Sequence, residues 1–232
     1  MYHKSKGILL RKIKLTGGGF MLKIFTSEYG IRSYFGRTSK QMKNKYLPLS
    51  IVNLTGFQQP KKTVYSLKEY ELATPLRDIY QNIYKSNVLI FINEILNQVI
   101  QEEEPNPEKF TFLESKIIEL EDEKFDSNFH LVFLIQLTSY LGFEPDTNGE
   151  GTYYDYSEGE CTFSSPAHAH FFDQEETLLF LTICKAAFDK NEKFHLSNTS
   201  RKRGLQLIIT YYRYHTEMRE LKSLPVLEMI FN

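Results

Sequence analysis

Cysteine is nearly absent. Cys161 and Cys184 are the only two in 232 residues, too few for a disulfide framework, so a reducing compartment is expected. Long apolar runs are missing as well. Stretches such as VLIFI at 88–92 reach five residues, against roughly twenty for a membrane-spanning helix. The opening MYHKSKGILLRKIKL places charges on both sides of a four-residue apolar patch, too short for a secretory signal core. No G-x-S-x-G, phosphate-loop or G-x-G-x-x-G pattern occurs, and TGGG at 16–19 has neither their spacing nor their flanks. No internal repeat is present. The expectation is a soluble intracellular protein that is not an enzyme and needs no cofactor.

Acids are also missing where they would be most informative. From Tyr29 to Lys68 there are eight cations and no Asp or Glu. Residues 1–70 hold fourteen Lys and Arg against two acids, Glu28 and Glu69, a net charge of +12. Residues 71–200 hold eight against twenty-four, a net −16, and residues 201–232 hold six against three, a net +3. The overall charge of −1 therefore conceals a basic head, an acidic body and a mildly basic tail. Packing of body against head accounts for some pairs, but an acid-free run of this length exceeds what internal pairing needs. The asymmetry predicts a polyanion-binding head, its partner nucleic acid or an acidic membrane surface.

The head reads as β-structure. GILLRKIKL alternates at its end, FMLKIFT follows the TGGG turn, and SEYG leads into IRSYFGR. LPLSIVNLTGF and TVYSLKEYEL complete five short strands in about seventy residues, the pattern of a small OB-type barrel, which an SH3-like barrel would also produce. Such barrels bind single strands by combining a cationic groove with aromatic platforms. The candidate phosphate contacts are Arg11, Lys12, Lys14, Lys23, Arg32, Arg37, Lys40, Lys43 and Lys45. Tyr34, Phe35, Tyr46, Phe57 and Tyr65 are available for stacking, with one or two expected to serve. Tyr34 is the best candidate, because it shares a predicted face with Arg32. In the tail, Arg201 and Arg203 extend the track if that segment folds back beside the barrel.

From Thr74 the period becomes helical. Thr74 and Pro75 read as N-cap and first residue, and NVLIFINEILNQVI at 87–100 as a central bundle helix. Asn106–Pro107 opens the next helix, Asn128 and Gly142 bound another, and Asp173 with Glu176 forms a capping box. The last long helix carries Leu205, Ile208, Ile209 and Tyr212 on one stripe. The expected class is α+β: a barrel over 1–73, then a helical domain over 74–232 with a small inserted module at about 144–171. In that module His168 and His170 bracket Ala169. With no C-x-x-C they fall short of a zinc ligand set, so the metal expectation is none. A metal-dependent hydrolase built on His168 and His170, or a different RNA-binding barrel protein, are the rival readings.

KGILLRKIKLTGGGFMLKIFTSEYGIRSYFGRTSK, EEEPNPEKFTFLESKIIEL, FHLVFLIQLTSYLGFEPD and YYRYHTEMRELKSLPVL, in that order, resemble the RecO family of bacterial DNA repair and recombination mediators. One departure stands out. Many members carry two C-x-x-C pairs that bind zinc, whereas here the first is absent around Thr147–Glu150 and Ser164 stands where the partner of Cys161 would fall. Tyr153, Tyr154, Tyr156 and Phe163 are expected to replace the metal with an apolar cluster. The resemblance implies a cytoplasmic, nucleoid-associated protein that binds single- and double-stranded DNA and anneals complementary strands. It implies RecR, the C-terminal tail of the single-strand DNA-binding protein and, indirectly, RecA as partners. Lys109, Lys116 and Lys124 are candidate contacts for that tail.

Overall fold

A computed structural model describes residues 1–37, 47–59, 63–101, 104–122, 124–189 and 194–231. They form two compact units, Met1–Lys124 and Phe125–Asn232. The first opens with five strands: β1 (Tyr2–Lys14), β2 (Phe20–Thr26), β3 (Gly30–Gly36), β4 (Ile51–Phe57) and β5 (Tyr65–Leu72). They close into a barrel in the order β1-β2-β3-β5-β4, with β3 and β5 parallel and every other pair antiparallel. That is the OB-type topology. Alternate residues point inward, so Leu9, Phe20, Leu22, Ile24, Tyr34, Val52, Leu54 and Tyr70 make the barrel core. Burying each large apolar side chain contributes about 1.5–3 kcal/mol.

One end of the barrel is plugged by rings. His3 lies against Tyr29, Tyr34 and Tyr65, and its Nε2 shares a hydrogen bond with the Tyr34 hydroxyl at 3.0 Å. Gly56 faces this plug, where a Cβ would stand 2.3 Å from His3 Cε1. Burial, with the nearby Arg32 charge, lowers the His3 pKa and keeps the ring neutral. β1 starts at Tyr2, five residues before the strand expected from GILLRKIKL.

The same unit contains α1 (Arg77–Gln81), α2 (Ile83–Val99) and α3 (Pro107–Glu121). Thr74 does not cap α1, which begins at Arg77. The reason is a cap from elsewhere: the Glu121 carboxylate accepts from the Asp78 and Ile79 backbone N–H groups at 2.8 and 2.9 Å. Lys85, fully buried on α2, returns the connection by pairing with Asp78 and donating to the carbonyls of Glu121 and Asp122. One cation thus satisfies the C-terminus of α3 and ties three helices together. At α3 the expected Asn106 cap is present, with its side chain accepting from Lys109 N–H.

The second unit comprises α4 (Phe129–Leu141), β6 (Tyr153–Asp155), β7 (Glu160–Thr162), β8 (Phe171–Phe172), α5 (Gln174–Phe188), α6 (Asn198–His215) and α7 (Leu224–Ile230). The ends expected at Gly142, Asp173 and Glu176 hold, whereas Asn128 precedes α4 without a capping hydrogen bond from its side chain. That side chain instead donates to the Phe194 carbonyl and accepts from Arg201. Gly142 closes α4 in the left-handed conformation, φ 84°, and Asp173 and Glu176 form the reciprocal box on α5. β6 is central in a three-stranded sheet, order β7-β6-β8, so the 144–171 segment is a small β-module.

His130 on α4 is fully buried, and that burial pushes its pKa down to about 3. Unfolded, the ring titrates near 6.5, so between those values the unfolded chain binds the extra proton. Its contribution is complete above pH 6.5 and is lost as pH falls towards 3. Stability measured by denaturant unfolding should therefore drop by up to about 1.4 kcal/mol per pH unit from this residue as pH falls below about 6. His130→Phe should flatten that dependence.

Candidate nucleic-acid interface

Barrel closure uses only the first half of β1. Tyr2–Ile8 pair with β4, whereas Arg11–Lys14 pair with β2 alone, after a register shift between Leu9 and Arg11. The turn that joins β1 to β2 runs through Gly17, Gly18 and Gly19, all at positive φ (102°, 83° and 153°), backbone that side chains rarely adopt. The result is a cationic ribbon leading away from the barrel seam. Arg11 and Lys23 are direct cross-strand partners, and alternation puts Lys12 and Lys14 on the opposite face.

Like charges placed opposite one another on a sheet are unfavourable. Here nothing nearby compensates locally in sequence, because no acid precedes Glu28. Burial, and then the Arg11 charge, lower the Lys23 pKa. Arg11, Lys12 and Lys14 are exposed, and Lys12 Nζ rides 5.6 Å from the Phe20 ring centroid. Arg37 is exposed just past β3. Arg32 is half-buried at the plugged end, where its Nη1 donates to the Ile31 carbonyl at 2.8 Å. Of the expected contacts, Lys40, Lys43, Lys45 and Tyr46 lie outside the described residues.

Three expectations change. Tyr34 is fully buried, its hydroxyl on His3 and its pKa raised by burial, so it is a core residue with no ring face for a base. That it shares a face with Arg32 was legible; the missing piece was that Tyr34 on that face points into the core. Arg201 is buried at the start of α6, where its guanidinium donates to Asn128, Ser127, Asn198 and the Leu196 carbonyl. It organises the second unit rather than presenting charge. Lys109 is buried on α3 and is no surface contact. Arg203 is half-exposed and already paired with Glu176, while Lys116 pairs with Glu119.

In the β-module, Cys161 still meets the segment that would carry the other metal ligands: a Cβ on Gly149 would lie 3.4 Å from the Cys161 Cβ. Burial and Asp146 raise the Cys161 pKa, which opposes a metal-binding thiolate. His168 Nε2 stands 3.0 Å from Asp155 Oδ2, and its Nδ1 accepts from His170 N–H at 3.1 Å. The His170 ring packs on Tyr156 and Tyr214. Both rings are thus held by neighbours. Among the described residues no group of three His, Cys, Asp or Glu side chains is placed to hold a metal ion. Tyr154 and Tyr156 are buried, with Tyr153 against Phe171, as the apolar replacement requires. Phe163 is the exception: it is 75 % exposed and takes no part.

Residues 80–225 match the family described as Recombination protein O C terminal. Over its whole length the chain is 36 % identical to the whole of DNA repair protein RecO from Flavobacterium psychrophilum. The corresponding figures are 33 % for the protein of that name from Flavobacterium johnsoniae and 28 % for that from Azobacteroides pseudotrichonymphae, again with both chains fully covered. The chain belongs to the RecO family. It is a RecO-type chain without the four-cysteine zinc site. The RecO C-terminal match starts within α1, so it spans helices of both compact units. The ribbon cations lie before it, on the barrel.

Replacing Arg11 and Lys23 together with Ala should weaken binding to single-stranded DNA. It should flatten the slope of log affinity against log salt by up to about 1.4, from about 0.7 for each phosphate contact. Because the two charges repel, the thermal midpoint should not fall. An unchanged salt slope would remove this pair from the interface.

Proposed function

We propose that this protein is a non-enzymatic DNA repair and recombination mediator that binds single- and double-stranded DNA and anneals complementary strands. With RecR it helps RecA load onto single strands coated by the single-strand DNA-binding protein, whose C-terminal tail it contacts. The observation that carries the DNA-binding part is the opposed Arg11–Lys23 pair on a ribbon whose sequence has no acid. A surface that keeps like charges together is relieved by a polyanion: phosphates neutralise the cations and release counterions to solvent. In this reading Arg11, Lys12, Lys14, Lys23, Arg32 and Arg37 position the backbone, joined by Lys40, Lys43 and Lys45 of the acid-free run. Such contacts fix a strand without reading its sequence. Neutralising two strands at once lowers their mutual repulsion, which is the physical requirement for annealing.

Family membership supports the mediator role, and residues 1–73 are the proposed DNA-binding domain. The helical domain over 74–232, with its β-module, is proposed to carry the protein partners. No helix among the described residues is long and apolar enough to cross a membrane. The proposed setting is the cytoplasm, at the nucleoid.

Fluorescence anisotropy with single-stranded DNA, duplex DNA and RNA across a salt series, paired with an annealing assay, tests this reading. Salt-sensitive binding of both DNA forms and faster annealing are expected. Preference for RNA over single-stranded DNA would favour an RNA-binding barrel protein instead. Absence of DNA binding at low salt would overturn the proposal.

A further inference from the structure

Tyr2 is 64 % exposed on the outer face of the barrel. It is the direct cross-strand partner of Phe57, their ring centroids are 4.9 Å apart, and the planes tilt by 52°. Lys68 Nζ stands 5.7 Å from the Phe57 ring centroid. Lys4, exposed two residues along β1, projects from the same face as Tyr2. The end of this strand is pinned, since Gln58 N–H donates to the Met1 carbonyl at 3.0 Å. The plug beside it is already complete with His3, Tyr34 and Tyr65, so the open ring of Tyr2 is not spent on the core. One acid adjoins, Glu69, and it accepts the Thr55 hydroxyl proton on that face.

We propose that Tyr2 and Phe57 form a stacking platform for an unpaired nucleobase, with Lys4 and Lys68 contacting the flanking phosphates. The proposal rests on the DNA-binding reading above and deepens it by naming a subsite for single strands. The occupant follows from the chemistry. An open aromatic face wants a flat, weakly polar partner, and the neighbouring lysines want an anion within one repeat of it. A single strand supplies both at every nucleotide, whereas a duplex hides its base faces in the stack. Stacking of this kind tolerates any sequence, so the platform discriminates single from double strands rather than one base from another. The ribbon cations bind either form.

The test uses the full chain and an oligo(dT) strand beside a duplex of mixed sequence. Tyr2→Ala should weaken oligo(dT) binding by about tenfold, the lower-to-middle range for one lost stack. Duplex affinity and the salt slope should stay at the parent's values, and Tyr2→Phe should restore binding. The natural chain has no tryptophan, so Tyr2→Trp installs a unique reporter. Its fluorescence should be quenched by oligo(dT) and unaffected by duplex. Parent-like binding of oligo(dT) by Tyr2→Ala, an equal loss on both DNA forms, or a silent tryptophan would each overturn the platform. A parent protein that binds neither DNA form would instead overturn the general reading, so the two failures are separable.

Discussion

Closing a five-stranded barrel on a thirteen-residue first strand leaves part of that strand over. β1 must meet β4 to seal the barrel, and it does so across Tyr2–Ile8; the shift between Leu9 and Arg11 then releases the remainder to β2 alone. This one constraint sets the plug at one end and the cationic ribbon at the other. At the plugged end, His3, Tyr34 and Tyr65 fill space that only a glycine at position 56 leaves open. Along the ribbon, the register that satisfies the backbone ladder forces Arg11 opposite Lys23. The fold tolerates that repulsion because Arg11 is exposed and Lys23 only half-buried. Like charges opposed at a sheet surface cost only a few tenths of a kcal/mol to about 1 kcal/mol.

Charge is handled differently in the helices. Lys85 and Arg201 are buried, yet neither is stranded. Each has several oxygen partners at a helix end or turn. Removing either would leave buried acceptors unmet, so both belong to stability. The β-module makes a comparable exchange. Where zinc-binding relatives would use thiolates, this chain packs Tyr154, Tyr156, Phe172 and Phe180 together and anchors the β6–β7 turn on Asp155. The Asp155 carboxylate accepts from Ser157, Glu158 and His168, and those hydrogen bonds outweigh its burial and hold its pKa below the usual range.

Much of this was legible before any geometry. Turn glycines, alternating strands and the Asn106, Asp173 and Gly142 signals are local, and the local signals located most elements. What stayed hidden depends on residues far apart in sequence. Glu121 capping α1 displaced the Thr74 cap, and no nearby pattern announces a carboxylate arriving from the end of another helix. Arg201 looked like one more tail cation because its acceptors, Ser127 and Asn128, lie more than seventy residues earlier. Tyr34 looked available because parity alone does not say which face of a strand is inside. The early start of β1 was signalled by His3, Ser5 and Gly7 alternating with Tyr2, Lys4 and Lys6, a pattern masked by its polar content.

The central claim is that DNA lies on the barrel ribbon. Lysine-reactivity footprinting, with modification quantified by mass spectrometry in the presence and absence of a single strand, addresses it in one measurement. Lys12, Lys14 and Lys23 should be protected by DNA, with Lys124 and Lys185, both exposed and outside the barrel, as reactive as in the free protein. Protection confined to those latter lysines, with the ribbon lysines unchanged, would contradict the account.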